Sequence, residues 1–522
     1  MNLLRPTNSV MFLRTLSVVL CFFCLFGGDV QAEELARFSA VVDLGPDRGQ
    51  SFGSIFEARD SNGRVVAGAG FMDAYNTRFR GDRHTLQFFI RPAADDNAFA
   101  IKRLPHPDLD TGVYLFDIDE KLHAWTSVRN NSVRRWDAVS ERWVGELPPE
   151  VSGLRGGDGV MRLGKGTLSF SQNKATCNGR PILAPPTEGR YYCFYYAHGR
   201  LFFYHTLRDD SRGFTKIHAC DWTPSDQGVI DVSQAVTLDT KYIGETPFAW
   251  GQFKHEVLTV SNQGGVYTFD GSTWKTLLEA DNTVSYQVYS MLNFHDRLLL
   301  AQYPTGNLFE YGGEKVTRIE GWPPRLPGVS KNAREAQTMS IYRGDLFVGV
   351  WPWAELWRYD RDAERWHSMG RMFTHPEITD KRTHPYEDEA NEYGLVTNHW
   401  GQRITGMIPL GDSLMISTSS KGTYEWKDKY DFLTDPQRRE YGAVVQMRMP
   451  GNLAAQIQWK DGPTKLEFVV KADRVSIRQD GKELAATMLS DVDVASFHDS
   501  KTTWREGVFG KFSGKLASQI AP

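Results

Sequence analysis

Short runs of alternating apolar and polar residues, cut by Gly, Asp, Asn and Pro, recur along most of this chain. Such runs read as β-strands bounded by turns. The clearest stretch is 338–369. Met339–Tyr342, Leu346–Val350 and Leu356–Tyr359 predict three strands, and a fourth begins at Trp366. Arg343-Gly344-Asp345 reads as a tight turn. Pro352 marks a loop because proline cannot donate to a β-ladder. The polar segment Asp360–Arg365 is a second turn.

The same pattern stands immediately upstream. Phe294, Leu298, Tyr303, Pro304, Leu308, Phe309 and Tyr311 lie about 48 residues before Tyr342, Leu346, Trp351, Pro352, Leu356, Trp357 and Tyr359, and a four-strand repeat of this period is the mark of a propeller blade. Weaker copies occur elsewhere. RRWDAVSERW at 134–143 matches WRYDRDAERW at 357–366, and further blades are expected over 159–183, 191–222, 248–274 and 407–426. With a hairpin over Phe52–Phe71 continuing at Leu86–Arg91, the reading is an all-β, seven- or eight-bladed β-propeller over 36–430. Phe38–Leu44 is expected to close the ring on the last blade, or else to complete a small C-terminal β appendage over 440–522.

The N-terminus has a different pattern. Arg5 and Arg14 precede the apolar run Val18–Phe26, and Val30-Gln31-Ala32 follows, so residues 1–32 read as a secretory signal peptide, too short to span a bilayer. The expected location is therefore secreted or periplasmic, with no membrane span. Three cysteines remain after cleavage, Cys177, Cys193 and Cys220, so one disulfide could form in an oxidising compartment.

Charge narrows the partner class. The formal net charge of −4 becomes about −5 without the signal segment, which gives no electrostatic reason to expect nucleic acid. The 15 Trp, 20 Tyr and 30 Phe are what an all-β core requires. On loops, their flat faces would also suit sugar rings. A monomer is expected.

In a propeller, ligands meet the loops that join the second strand to the third and the fourth strand to the next blade. Alignment of the repeats puts Tyr303, Arg334, Glu335, Trp351, Trp353, Glu355, His399 and Arg403 on that face as candidate substrate-binding residues. Ser419 and Lys421 occupy the matching loop of the last blade. The loop Asp73–His84, with Tyr75, Asn76, Arg78, Arg80, Arg83 and His84, reads either as a carboxylate or sulfate clamp or as a solvated loop. Two long insertions, 322–337 and 372–403, interrupt the repeat. The second contains His375, His384 and His399 among carboxylates. No fixed ligand spacing accompanies them, so no cofactor is expected, with a divalent metal as the alternative. Glu335 and Glu355 would suit glycoside hydrolysis if they faced one another.

The repeat architecture resembles the Kelch-like and secreted polysaccharide-active propellers, among them the β-propeller polysaccharide lyases that degrade ulvan. The segment RYYCFYYAHGRLFFYHTLRDDSRG at 190–213 has the layout of their catalytic blade, with Tyr192 and Arg208 at the matching positions. That resemblance implies β-elimination. Arg208 would neutralise a uronate carboxylate, while Tyr192 and His205 would exchange protons with the sugar. The C-terminal strands resemble those of laminin-G-like and concanavalin-like lectin domains. Together these imply a secreted propeller that binds an acidic polysaccharide and, on the lyase reading, cleaves it. The other reading is a non-catalytic glycan- or protein-binding scaffold.

Overall fold

The computed structural model describes residues 34–504 and 516–518, apart from 73, 77–78, 92–98, 108–110, 127–131, 150, 153, 155–157, 423–425 and 490–499. The signal segment, Arg78 and most of 507–516 lie outside the described residues. Nearly all of the regular structure described is antiparallel β-strand.

Over 113–144, 159–183, 190–239, 247–278, 287–319, 335–371 and 402–448, seven sheets among the described residues are built on antiparallel meanders, of four strands in the first six and three in the last. They are called blades one to seven below. Apart from blades two and three, the first strands of successive blades pack on one another, and the seventh returns to the first. Blades two and three join through a shared core that includes Leu168, Phe170, Tyr191 and Phe203. The fold is therefore a β-propeller with the first strand of each blade lining the axis. Burial follows from this placement. Asp345–Trp351, in the middle of blade six, is buried throughout because a blade covers each of its faces, whereas the outer strand Arg365–Arg371 is largely open.

The seventh blade borrows its outer strand. Ala100–Arg103 precedes blade one in sequence, yet it pairs with Val444–Arg448 and closes the ring. The strand expected for that role, within Glu34–Asp43, pairs instead with Pro463–Lys471. The third strand of blade seven is Val444–Arg448, so the ring runs past residue 430, and the strand expected at 423–426 lies mostly outside the described residues.

The remaining strands form two five-stranded sheets. One holds Glu34–Asp43 among C-terminal strands. The other joins the N-terminal strands Ser54–Arg59, Val65–Phe71 and Thr85–Ile90 to Asn452–Gln456 and Lys501–Trp504 from the far end of the chain. What read as an opening blade is thus half of a sandwich built from both ends of the chain. Alternation in Glu34–Asp43 turns Ala36, Phe38, Ala40 and Val42 inward. Phe38 stacks on Phe56 at 4.6 Å, and Phe56 meets Phe468 at 5.4 Å.

The sandwich sits on one end of the ring and touches every blade there. Its contacts reach the turn between the first two strands of each blade, or the strand end beside it. Glu120 accepts from Gln456 N–H, and Gly164 N–H donates to Asp47. Gly199 N–H donates to the Arg48 carbonyl, and Gln252 donates to the Gly49 carbonyl. His295 lies 3.4 Å from Glu57, Arg91 pairs with Asp345, and Ala454 N–H donates to the Gly411 carbonyl.

From this sandwich the segment 72–84 enters the ring. Ala74–Tyr75 pairs with Met291 and Leu292 of blade five. The Tyr75 hydroxyl donates to the Phe194 carbonyl of blade three at 2.6 Å, and Arg80 bridges to Phe116 of blade one and donates to the Asp158 carbonyl beside blade two. Arg83 and His84 are buried against Asp47. This segment is a plug, neither a solvated loop nor a surface clamp. Tyr75 and Arg80 are spent on the walls of the channel, and Arg83 and His84 on Asp47.

Candidate functional site

With the sandwich on one end, the exposed end of the ring is the one where first strands begin and second strands finish. Three second strands end there on residues that converge. Tyr303 and Trp351 close theirs in blades five and six, and Lys421 follows Ser420 in blade seven. The first strands of blades six and seven bring Glu335 and Arg403 to the same place.

Glu335 is the centre of this cluster. Arg403 Nη2 donates to one of its oxygens at 3.1 Å, and the Lys421 ammonium holds the other. The Glu335 side chain is fully buried. Burial raises its pKa, but Arg403 and Lys421 more than offset this and hold it below the ordinary glutamate value. The Lys421 ammonium also lies 5.3 Å from the Tyr303 ring centre and 5.0 Å from that of Trp351, which is cation–π range. His384 packs on Trp351 at 4.8 Å and is itself held by Glu387 at 2.8 Å. Burial lowers the His384 pKa, which favours the neutral ring. Two cations therefore face the Glu335 carboxylate, with the Glu387 carboxylate behind His384 as a second negative charge.

The other expected binding residues shape this face from below. Arg334 pairs with Glu355 at 3.3 Å and donates to the carbonyls of Pro323 and Pro324, which fixes the 322–337 insertion. Glu355 also accepts from Leu326 N–H and from the Trp357 indole. Glu335 pairs in register with Trp351, whereas Glu355 pairs with Val350. Neighbours on a strand face opposite ways. The two carboxylates thus lie on opposite sides of blade six and do not confront each other across a cleft, as hydrolysis would need. Trp353 is buried, donates to the Thr383 carbonyl at 3.2 Å and lies under Arg371, anchoring the 372–403 insertion. That insertion carries one short helix, Glu387–Glu392. His399 is buried against Trp400, with its pKa lowered by burial to about 4.

The three residues assigned to elimination do not share one face of blade three. Tyr191 pairs with His205, and Tyr192 pairs with Tyr204, so Tyr192 and His205 face opposite sides of blade three. The Tyr192 hydroxyl donates to the Glu245 carbonyl at 2.7 Å, and burial pushes its pKa up to about 12. His205 contacts the Glu188 carbonyl at 2.9 Å and His218 at 3.4 Å, and burial lowers its pKa. Arg208 is exposed and lies beside Gly244, where a Cβ would come within 3.2 Å of its guanidinium. The structure brings Tyr303, Trp351, Glu335 and Arg403 together; it leaves Arg208 near Tyr192, beside Gly244 and Glu245, and sets His205 on the opposite side of blade three.

Lys421 was legible only as a loop position. Its importance comes from Glu335, which lies far from it in sequence, and no local pattern signals that contact. Among the described residues, no group of three or more His, Cys, Asp or Glu side chains comes together. His375, His384 and His399 are each engaged elsewhere. The three described cysteines are free thiols. Cys193 and Cys220 occupy the first and third strands of blade three, with the second strand between them. Among the described residues no helix is long and apolar enough to cross a membrane.

No family model matches the sequence, and no curated protein matches it. The Kelch-like, lyase and laminin-G-like likenesses therefore remain resemblances. Solved structures similar to the chain include YCF48 bound to D1 peptide, at 12% identity and a TM-score of 0.38, covering 69% of this chain and 99% of the other. The WD40 repeats of RRP9 align at 11% identity and a TM-score of 0.34, covering 69% and 99%. Apo AztD from Citrobacter koseri aligns at 8% identity and a TM-score of 0.30, covering 64% and 96%. Likenesses at this level assign no function.

Proposed function

We propose that this protein is an extracellular binding protein whose exposed propeller face holds an acidic polysaccharide without cleaving it. One observation carries the reading: Arg403 and Lys421 converge on the single carboxylate of Glu335 beside Tyr303 and Trp351. A partly exposed ammonium such as that of Lys421 attracts anions, and that attraction weakens with salt. Aromatic rings beside the charge supply flat apolar surface for a sugar. Binding without cleavage is favoured because Tyr192 and His205 face opposite sides of their blade, and because the Tyr192 hydroxyl is bound to a carbonyl.

The test is affinity electrophoresis of the mature protein against acidic and neutral polysaccharides at low and high salt, with absorbance followed in the unsaturated-uronate band. The expected result is retardation by at least one acidic polymer, relieved by salt, with a flat absorbance trace. Retardation by no acidic polymer would remove the reading. Rising absorbance that is lost in Arg208→Ala would replace it with β-elimination.

A further inference from the structure

The contact between Lys421 and the two aromatic rings carries an inference that rests on the proposed function and deepens it. A ring that stacks on a sugar must offer a face. In this structure the Lys421 ammonium lies over both the Tyr303 and Trp351 rings while it binds Glu335. Trp351 is only 2% exposed, with His384 also packed on it, whereas Tyr303 is half-buried. The platform is thus covered by the protein's own cation.

We infer that Lys421 is a specificity-determining latch. On binding, its ammonium moves from Glu335 to a carboxylate or sulfate of the ligand and uncovers the Tyr303 and Trp351 rings for the attached sugar. Three features allow this. The backbone of Lys421 is fixed, because its N–H donates to the Gly401 carbonyl at 2.8 Å, so only the flexible side chain has to move. The side chain is 23% exposed, more than any other charged group of the cluster's central ion pairs. Glu335 keeps Arg403 at 3.1 Å after Lys421 leaves, so no buried carboxylate is stranded without a cation. A neutral polymer offers nothing to draw the ammonium away and so meets a covered platform. The latch therefore selects for charge on the ligand as well as for the sugar face.

The experiment compares wild type, Lys421→Ala and the double variant Glu335→Gln/Lys421→Ala as full mature chains. Each is titrated with an acidic polysaccharide that retards the wild type and with its desulfated or carboxyl-reduced counterpart. The latch predicts that Lys421→Ala binds the acidic polymer about tenfold more weakly or worse and binds the neutral counterpart more tightly than wild type. The double variant should behave like Lys421→Ala. If Lys421 serves only to neutralise Glu335, the double variant should regain wild-type affinity for the acidic polymer, and that recovery would overturn the inference. Unchanged affinities in Lys421→Ala would overturn it too, while leaving the binding function standing. A wild type that binds no acidic polymer would instead remove the function on which the latch rests.

Discussion

Replacing Asp47 with Asn should weaken the whole assembly of ring, plug and sandwich, because one carboxylate joins all three. Asp47 lies in the connection between the sandwich strands Glu34–Asp43 and Ser54–Arg59. It accepts from Arg83 Nη2 at 2.6 Å and contacts His84 Nε2 at 2.8 Å, both at the base of the plug. It also accepts from Gly164 N–H of blade two at 2.7 Å and from Gly49 N–H at 3.0 Å. Its side chain is 2% exposed. An amide in its place would turn an NH₂ group toward Arg83 and remove the carboxylate that this buried guanidinium pairs with. Losing one partner of a buried ion pair costs about 3–5 kcal/mol. Urea unfolding of wild type and Asp47→Asn at neutral pH would measure this. The sign of the pH dependence follows from the carboxyl itself. Burial raises its pKa, but Arg83, His84 and the Gly164 N–H more than offset that and hold it well below the usual aspartate range. A depressed folded-state pKa contributes stability that is present above the unfolded value and is lost as pH falls toward the folded one. The difference between wild type and variant should therefore be constant above about pH 5 and shrink below about pH 4. A loss under about 1 kcal/mol at neutral pH, well short of the range for a broken buried pair, would refute the hub.

Two further outcomes follow from the geometry. His123 is fully buried on Phe116, at 4.8 Å between ring centres, and burial lowers its pKa to about 4. The folded state resists its protonation, so stability is lost as pH falls below the unfolded value near 6.5, by about 2 kcal/mol at pH 5. His123→Phe should therefore gain on wild type in melting temperature between pH 7 and pH 5, and parallel curves would contradict this. A Cβ at Gly401 would lie 2.4 Å from Trp351 Nε1, so Gly401→Ala must displace the indole. It should cost roughly 1–3 kcal/mol, as overpacking does, and weaken binding of the acidic polymer. Unchanged affinity would separate Trp351 from the site.

The blades were legible because alternation and a repeat of fixed period are local signals. The 294–311 and 342–359 copies fall on blades five and six, and the weak run at 159–183 is a complete blade. Partner choice was not legible. Glu34–Asp43 alternates as a blade strand would, but its apolar face meets the C-terminal strands, a pairing set only by the folded chain. The ring-closing strand Ala100–Arg103 is exposed at every residue, so it carries no apolar alternation to detect. The plug escapes a sequence reading because its Arg and Tyr side chains look like surface chemistry, and it takes the channel walls to satisfy them. At the exposed face, Tyr303 and Trp351 followed from their shared place in the repeat. Lys421 did not stand out, since its value lies in a contact with Glu335 of another blade. Tyr192 and His205 looked close in sequence, and a single step of strand parity separates them.

Ligand binding at the exposed face is tested most directly by hydrogen–deuterium exchange on the full mature chain with and without a retarding acidic polysaccharide. Binding at the exposed face predicts protection at the loop ends around Tyr303, Trp351, Gly401–Arg403 and Ser420–Lys421, and none added at the sandwich-facing turns around Arg343–Asp345 and Gly411–Ser413. Protection confined to the sandwich, with the exposed face unchanged, would contradict it.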